Sequence, residues 1–401
     1  MAEAVIVATA RSPIGRAGKG SLKDLRADDL TVQMVQAVLN RLPELDRSQF
    51  DDPILGCGQP AGEAGNNLAR VVAVFTGLDE VRGVTVNRYC SSSLQSTRMA
   101  LHAIKADEGD IFISAGVETV SRFSNGWSDN PEGQNPLVAD AQVRTAQLTT
   151  GGQEWEDPRT TARLPDIYIT MGQTDENVAQ VAGISRADQD AFGVRSHNLV
   201  GQAIADGFWA RDITPVTRPD GAVVNADDGP RAGVTLDAMS DLKPVFRPDG
   251  TVTAGNCCAL NDGAAALVIM SDTKARELGL TPFVRIISTG LSPEVMGLGP
   301  VEASRRALTR AGTTIDDIDL VEINEAFAAQ VIASARELGI TENRLKVNGG
   351  AIAVGHPFGM TGARITSTLI NSVQWHDKQY GLETMCVGGG QGMAMVLERL
   401  S

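Results

Sequence analysis

Val86-Asn87-Arg88-Tyr89-Cys90-Ser91-Ser92-Ser93-Leu94 and Val347-Asn348-Gly349-Gly350-Ala351 follow one plan. In each, a Val-Asn step leads through a loop of small residues into a helical pattern. Ahead of each lies a helix of about three turns, Asp28–Leu39 in the first and Val301–Ala311 in the second, then an acidic turn and a strand. After each comes a strand that ends in glycine, Ile111–Gly116 and Met385–Gly390. Two copies of one βαβ-rich unit predict an α/β fold of two duplicated mixed-sheet halves, layered with helices around a shared core. Matching the ends of corresponding elements brings Cys90, His356 and Cys386 near one another.

The rest of the chain fits around this repeat. Val5–Ala8 reads as the first strand, and Leu30, Met34 and Val38 share one face of the first helix. Residues 122–250 differ in texture, holding nine of the 17 prolines and Trp127, Trp155 and Trp209 of the four tryptophans. They still contain a capped helix, with Ser185 as N-cap and Asp188 three residues on, running toward Asp206-Gly207. The expected organisation is an N-terminal half over 1–121, completed by about 251–272, a loop domain over 122–250, and a C-terminal half over 273–401. The loop domain is where binding surface is expected.

Composition narrows the function. The 401 residues carry 35 Lys and Arg against 49 Asp and Glu, a net charge of −14. Non-specific binding to nucleic acid or to an anionic membrane has no electrostatic support, so an anionic substrate needs a local basic patch. No run of about 18 apolar residues is present to span a membrane. Five cysteines (Cys57, Cys90, Cys257, Cys258, Cys386) are too few, and odd in number, for a disulfide framework, and fit a reducing cytoplasm. Four histidines with no HExxH or CxxC give no metal site, and the phosphate-binding GxxxxGK[ST] is absent. A cytoplasmic enzyme of small-metabolite chemistry is the expectation.

Four segments could carry that chemistry. Cys90 lies at a strand-to-helix turn, where backbone N–H groups favour thiolate; it is either a nucleophile or a buried structural thiol. His356, in Gly355-His356-Pro357-Phe358-Gly359, is either a base or a turn residue bonding its own backbone, with Pro357 suited to the first position of a helix. Cys386 precedes Val387-Gly388-Gly389-Gly390, whose N–H groups form either an oxyanion-binding nest or a simple bend. Asn324-Glu325 follows the strand Asp319–Ile323 and is either a cap with a solvated acid or a buried polar pair.

Together the segments resemble the thiolase family, which makes or cleaves 3-oxoacyl-CoA by Claisen chemistry. The resemblance rests on TAGNCCALNDGAAAL at 253–267, NEAFA at 324–328, GGAIAVGHPFGMTGAR at 349–364 and CVGGGQG at 386–392, in order along essentially the whole chain. It implies that Cys90 carries the acyl group as a thioester and that His356 activates the Cys90 thiol. It implies further that Cys386 moves the proton as acid and base, and that Asn324 holds a water completing one oxyanion hole. The N–H groups of Cys90 and Gly388 form the second hole. The same resemblance places CoA and the acyl chain against Arg231, Met171, Phe246, Ala254, Cys258, Met296 and Phe327. It implies no cofactor besides CoA as substrate, no metal, and a homodimer or homotetramer.

The expected reaction is thiolysis of 3-oxoacyl-CoA by CoA to acetyl-CoA and a shortened acyl-CoA. The alternatives are condensation of two acetyl-CoA by the same residues and a thiolase-like protein that only binds acyl-CoA. A decarboxylating ketoacyl synthase would pair its cysteine with two histidines, and Asn324 and Cys386 stand against it. The chain also departs from the family's usual pattern. Ser91 and Ser93 replace glycines, Cys258 replaces a serine, and Thr170 stands where some short-chain members have histidine. The expectation is a narrowed pocket or an altered turn at the serines.

Overall fold

The computed structural model describes residues 2–125, 133–293 and 297–401. In chain order the strands are β1 (Ala4–Arg11), β2 (Gly15–Arg16), β3 (Asp52–Cys57), β4 (Val84–Val86), β5 (Ile111–Thr119), β6 (Val216–Thr217) and β7 (Val223–Val224). There follow β8 (Asn261–Ser271), β9 (Val284–Pro293), β10 (Leu320–Ile323), β11 (Tyr380–Val387) and β12 (Gln391–Arg399).

Strand order makes the duplication explicit. The path runs β10-β11-β12-β9-β1-β8-β5-β3-β4. In the first half β1 is antiparallel to β8, β8 antiparallel to β5, and β3 lies parallel between β5 and β4. In the second, β9 is antiparallel to β12, β12 antiparallel to β11, and β10 parallel to β11. The counterpart of β4 shrinks to one parallel bridge, Val321 to Leu345. The halves join where β1 meets β9 antiparallel, Val5 opposite Arg285 and Ile6 opposite Val284.

Most strands are buried on both faces, as helical cover requires. The helices Ala27–Asn40 and Leu68–Phe75 cover the first half; Leu30, Met34, Val38, Leu68 and Val72 pack on Ile113, Val117 and Val268. Gly299–Ala311 and Ala328–Leu338 cover the second half through Ala303, Ala307 and Val331. Between the halves, Ser92–Lys105 and Thr361–Trp375 share a core of Leu94, Leu101, Ile365, Leu369, Ile269 and Met385.

That central pair crosses very closely. A side-chain carbon on Gly362 would lie 2.1 Å from the backbone nitrogen of Leu94, and one on Gly116 would lie 2.2 Å from the carbonyl of Gly359. Only glycine fits at either point. Ser93, expected to narrow a pocket, is buried in this crossing instead, where its Oγ accepts from Ala363 N at 2.8 Å.

Two local expectations are corrected. The strand expected to close at Gly116 continues to Thr119, because β8 pairs with it along its whole length. Pro357 does not open a helix. The helix starts at Thr361, since the N–H of Gly359 is taken by the Glu118 carboxylate at 2.8 Å, which holds 357–360 as a turn. In the middle region the Ser185–Asp188 capping box forms as expected, starting Arg186–Ala205.

Replacing Gly362 by alanine forces the two central helices apart. We expect destabilisation of about 1–3 kcal/mol or more, measured as a lowered urea midpoint relative to the unsubstituted protein.

Candidate active site

Cys90 is raised on a strained turn. After β4 the chain makes a 3-10 turn, Tyr89–Ser91, and enters the helix Ser92–Lys105. Tyr89 has φ +45°, a left-handed conformation that a bulky residue seldom adopts. Local bonds hold it there: Tyr89 N donates to Asn87 Oδ1 at 2.7 Å, and Ser92 Oγ accepts from Arg88 N at 2.9 Å and donates to Tyr89 O at 2.7 Å. Ser91 Oγ donates to Arg88 O at 3.1 Å. These serines fasten the turn.

The glycine loop after β11 closes over this turn. The Gly388 amide favours the charged form of the Cys90 sulfur. A side chain on Gly388 would press on the Tyr89 ring, 3.2 Å from Cγ. Cys90 was expected as a thiolate, and the structure reverses this. Burial, then the charge of Glu118, pushes the thiol up to about 12, outweighing the N–H groups of Gly388 and Cys90 itself.

His356 is equally enclosed. Its backbone N donates to Asn261 Oδ1 at 3.0 Å, at the start of β8. Its Nδ1 lies 2.6 Å from Thr361 Oγ1, whose own proton goes to Pro357 O at 2.7 Å. A hydroxyl has one proton, so Thr361 accepts from Nδ1–H, leaving the lone pair on Nε2. Burial, then Arg364, lowers the ring to about 3. The resting imidazole is neutral, with its free lone pair on Nε2.

Asn324 Nδ2 stands 3.4 Å from both ring nitrogens. Its Oδ1 accepts from the buried Arg364 Nη2 at 3.1 Å, which turns Nδ2 toward the ring. Glu325 belongs to a buried polar pair and is not a solvated acid: Oε2 accepts from Ser196 Oγ at 2.6 Å and Ile352 N at 3.1 Å.

Cys386 packs with Val252, Ala326 and Phe327, and Met171, Phe246 and Cys257 lie against the same cluster. Phe246 meets Phe327 edge-on, centroids 6.3 Å apart. Cys258 donates its N–H to Ala326 O at 3.0 Å and feels the charges of Cys257, Cys90 and Cys386. Cys386 is pushed well up, first by burial and then by Cys90 and Asp175.

Four of the expected binding positions, Met171, Phe246, Cys258 and Phe327, are thus distributed around one sulfur-rich apolar site. Ala254 is an exposed turn residue beside it. Arg231 is exposed, close enough to His197 to act on it; Gly229, two residues earlier, packs on the Ala353 carbonyl, at the helix before His356. Met296 lies outside the described residues. A cavity of about 380 Å³ opens beside Gly389 and Gly390, walled by Leu148, Trp155, Pro158, Ile169 and Pro293. Sequence reasoning gave no role to Asn261, Thr361, Arg364 and Glu118, though the first three stand within the segments at 253–267 and 349–364.

Residues 4–273 match the thiolase N-terminal domain and residues 279–399 the thiolase C-terminal domain. The chain belongs to the thiolase family. It is 43% identical over 411 residues to a β-ketoadipyl-CoA thiolase of Pseudomonas aeruginosa, covering 99% of each chain. It is 43% identical over 414 residues to a 3-ketoacyl-CoA thiolase of Bacillus subtilis, covering 99% of this chain and 100% of the relative. The Bacillus anthracis acetyl-CoA acetyltransferase structure superposes with a TM-score of 0.85 at 36% identity, covering 100% of this chain and 99% of that one. Human mitochondrial 3-ketoacyl-CoA thiolase gives 0.84 at 32%, with 99% of both chains covered.

The raised Cys90 thiol is expected to be protonated at neutral pH. Alkylation of Cys90 by iodoacetamide is expected to rise about tenfold per pH unit from pH 6 to 9 without a plateau, read by mass spectrometry. Thr361→Val removes the acceptor for Nδ1–H. Acylation of Cys90 is expected to slow by on the order of 10- to 100-fold, with Thr361→Ser near the unsubstituted rate, in rapid-quench measurements.

Proposed function

We propose that this thiolase cleaves 3-oxoacyl-CoA with CoA, passing the acyl group through Cys90. The observation that carries the reading is the packing of Gly388 on the Tyr89 ring, 3.2 Å from Cγ to an added side-chain carbon, which sets the loop after Cys386 against the turn of Cys90. His356 Nε2 takes the Cys90 proton as sulfur attacks the 3-oxo carbon. The tetrahedral oxyanion is held by the N–H groups of Cys90 and Gly388. The bond between α- and β-carbons then breaks, leaving the acyl group on Cys90 and a thioester enolate on CoA.

The enolate oxygen is stabilised by the now protonated His356 and by a water held on Asn324; losing one such donor costs about 2.7–4 kcal/mol. Cys386 protonates the enolate carbon, releasing acetyl-CoA. As a thiolate it then takes the proton of incoming CoA, whose sulfur attacks the acyl-Cys90 thioester. Shortened acyl-CoA leaves and Cys90 regains its proton from His356. Two transfers through a thioester replace one difficult one. No step calls on a metal or on a cofactor besides CoA as substrate.

Arg231 supplies positive charge for CoA phosphate in this reading, and Met171, Phe246, Ala254, Cys258 and Phe327 line the pantetheine and acyl path. The cavity beside Gly389 and Gly390 is of a size that takes ligands larger than acetate. It supports the degradative direction on longer 3-oxoacyl chains, in a loop domain over 122–250 set between halves at 1–121 (with 251–272) and 273–401.

With labelled 3-oxoacyl-CoA we expect label on Cys90 alone. Cys90→Ala is expected to bind CoA and take no label, and Cys386→Ala to be labelled but to lose turnover. Rates compared across straight-chain 3-oxoacyl-CoAs, 3-oxoadipyl-CoA and acetoacetyl-CoA rank the substrates by kcat/KM. Cleavage of none, or label on another cysteine, contradicts the proposal.

A further inference from the structure

One buried acid has no part in the reaction above. Glu118 ends the inner edge of β5, is 1% exposed, and has no cationic partner among the described residues. Its Oε2 accepts from Gly58 N and Gly359 N, each at 2.8 Å. Its Oε1 accepts from Gln59 N at 3.2 Å, with Cys57 Sγ 3.8 Å away. Gly58 and Gln59 follow β3, whereas Gly359 belongs to the turn that carries His356.

The packing around these bonds reaches Cys90. A side-chain carbon on Gly58 would lie 2.7 Å from Glu118 Oε2, 3.1 Å from Phe358 Cβ and 3.3 Å from Tyr89 O. Phe358 in turn meets the His356 ring edge-on, centroids 5.5 Å apart. The end of β3, the shoulder before Cys90 and the His356 turn therefore close around one carboxyl group.

We propose that Glu118 is a positioning residue for acyl transfer: one carboxylate fastens the His356 turn to the Cys90 shoulder and sets how imidazole and thiol face each other. The inference rests on the acyltransferase reading above. Both oxygens are occupied by backbone donors from separate segments, so the group fastens chain and does not carry protons to substrate. Three converging N–H groups also explain why an acid is needed: an amide would set its own NH2 against one of them. Burial pushes this carboxyl up to about 7 even so. Its charge opposes the Cys90 thiolate, adding to the larger effect of burial.

The test is Glu118→Gln, with Glu118→Asp beside it. Glutamine keeps an oxygen for Gly58 and Gly359, removes the charge and opposes Gln59 N–H. Single-turnover acylation of Cys90 by 3-oxoacyl-CoA is expected to slow by roughly 10- to 100-fold, with an unchanged KM for CoA. A structural role alone would not move the second readout, the pH profile of Cys90 alkylation by iodoacetamide. That profile is expected to shift to lower pH in Glu118→Gln. The other titratable groups acting on Cys90 are the same in all variants: Cys386 of β11 and Cys258.

Glu118→Asp keeps the charge but retracts the oxygens, so acylation is expected to slow while the alkylation profile stays high. Unsubstituted acylation rates in both variants, or an unmoved profile in Glu118→Gln, overturns the proposal. So does failure of both to fold, which would make Glu118 a residue of the fold alone. Alkylation requires no acyl-CoA. An unsubstituted protein that is never acylated would therefore defeat the acyltransferase reading and leave the profiles to decide on Glu118.

Discussion

The site depends on how closely two helices can approach. The helix after Cys90 and the helix after His356 touch backbone to backbone at Leu94 and Gly362, with Gly116 and Gly359 allowing the adjoining strand and turn to close up. A helix start carries unpaired N–H groups, and here Ser93 from one helix accepts the Ala363 N–H at the start of the other. Two turns that arise in different halves are thereby fixed against each other to within the width of a side chain. The β1–β9 pairing holds the halves in register, and the glycine crossing sets the distance.

Enclosure governs the chemistry in turn. A low-dielectric pocket raises Cys90 and Cys386 and lowers His356, so the resting groups are all neutral. In the proposed reaction, charge is created there only when a carbonyl receives it, and the Gly388 and Cys90 N–H groups are the proposed donors. Their dipoles reorganise little, which is where such donors gain their effect. The Thr361 hydroxyl fixes the imidazole tautomer and the Arg364 guanidinium fixes the Asn324 amide. The reacting groups are thus held by neighbours that never touch a substrate.

The duplication was legible in the linear chain. Repeated Val-Asn steps, glycine-ended strands and helices of matching length point to two copies, and strand order agrees. Cys90, His356, Asn324 and Cys386 stand in turns and strand ends whose small residues are informative at short range. The ionisation of the two thiols was not legible. An N–H-rich turn favours thiolate locally, but burial from the opposite half outweighs it, and that burial has no local marker. The role of Ser93 was misread for the same reason: its partner lies in the other half.

What the sequence alone determined is therefore local and periodic: which segments become strands and helices, where the turns fall, and which residue types stand in them. These follow from backbone sterics and from apolar spacing within a few residues. Only the tertiary structure decided which turns meet, which groups lose water, and that Glu118 gathers donors from β3 and from the His356 turn. Desolvation and convergent hydrogen bonding depend on atoms far apart along the chain, and those distances exist only once the two halves have closed.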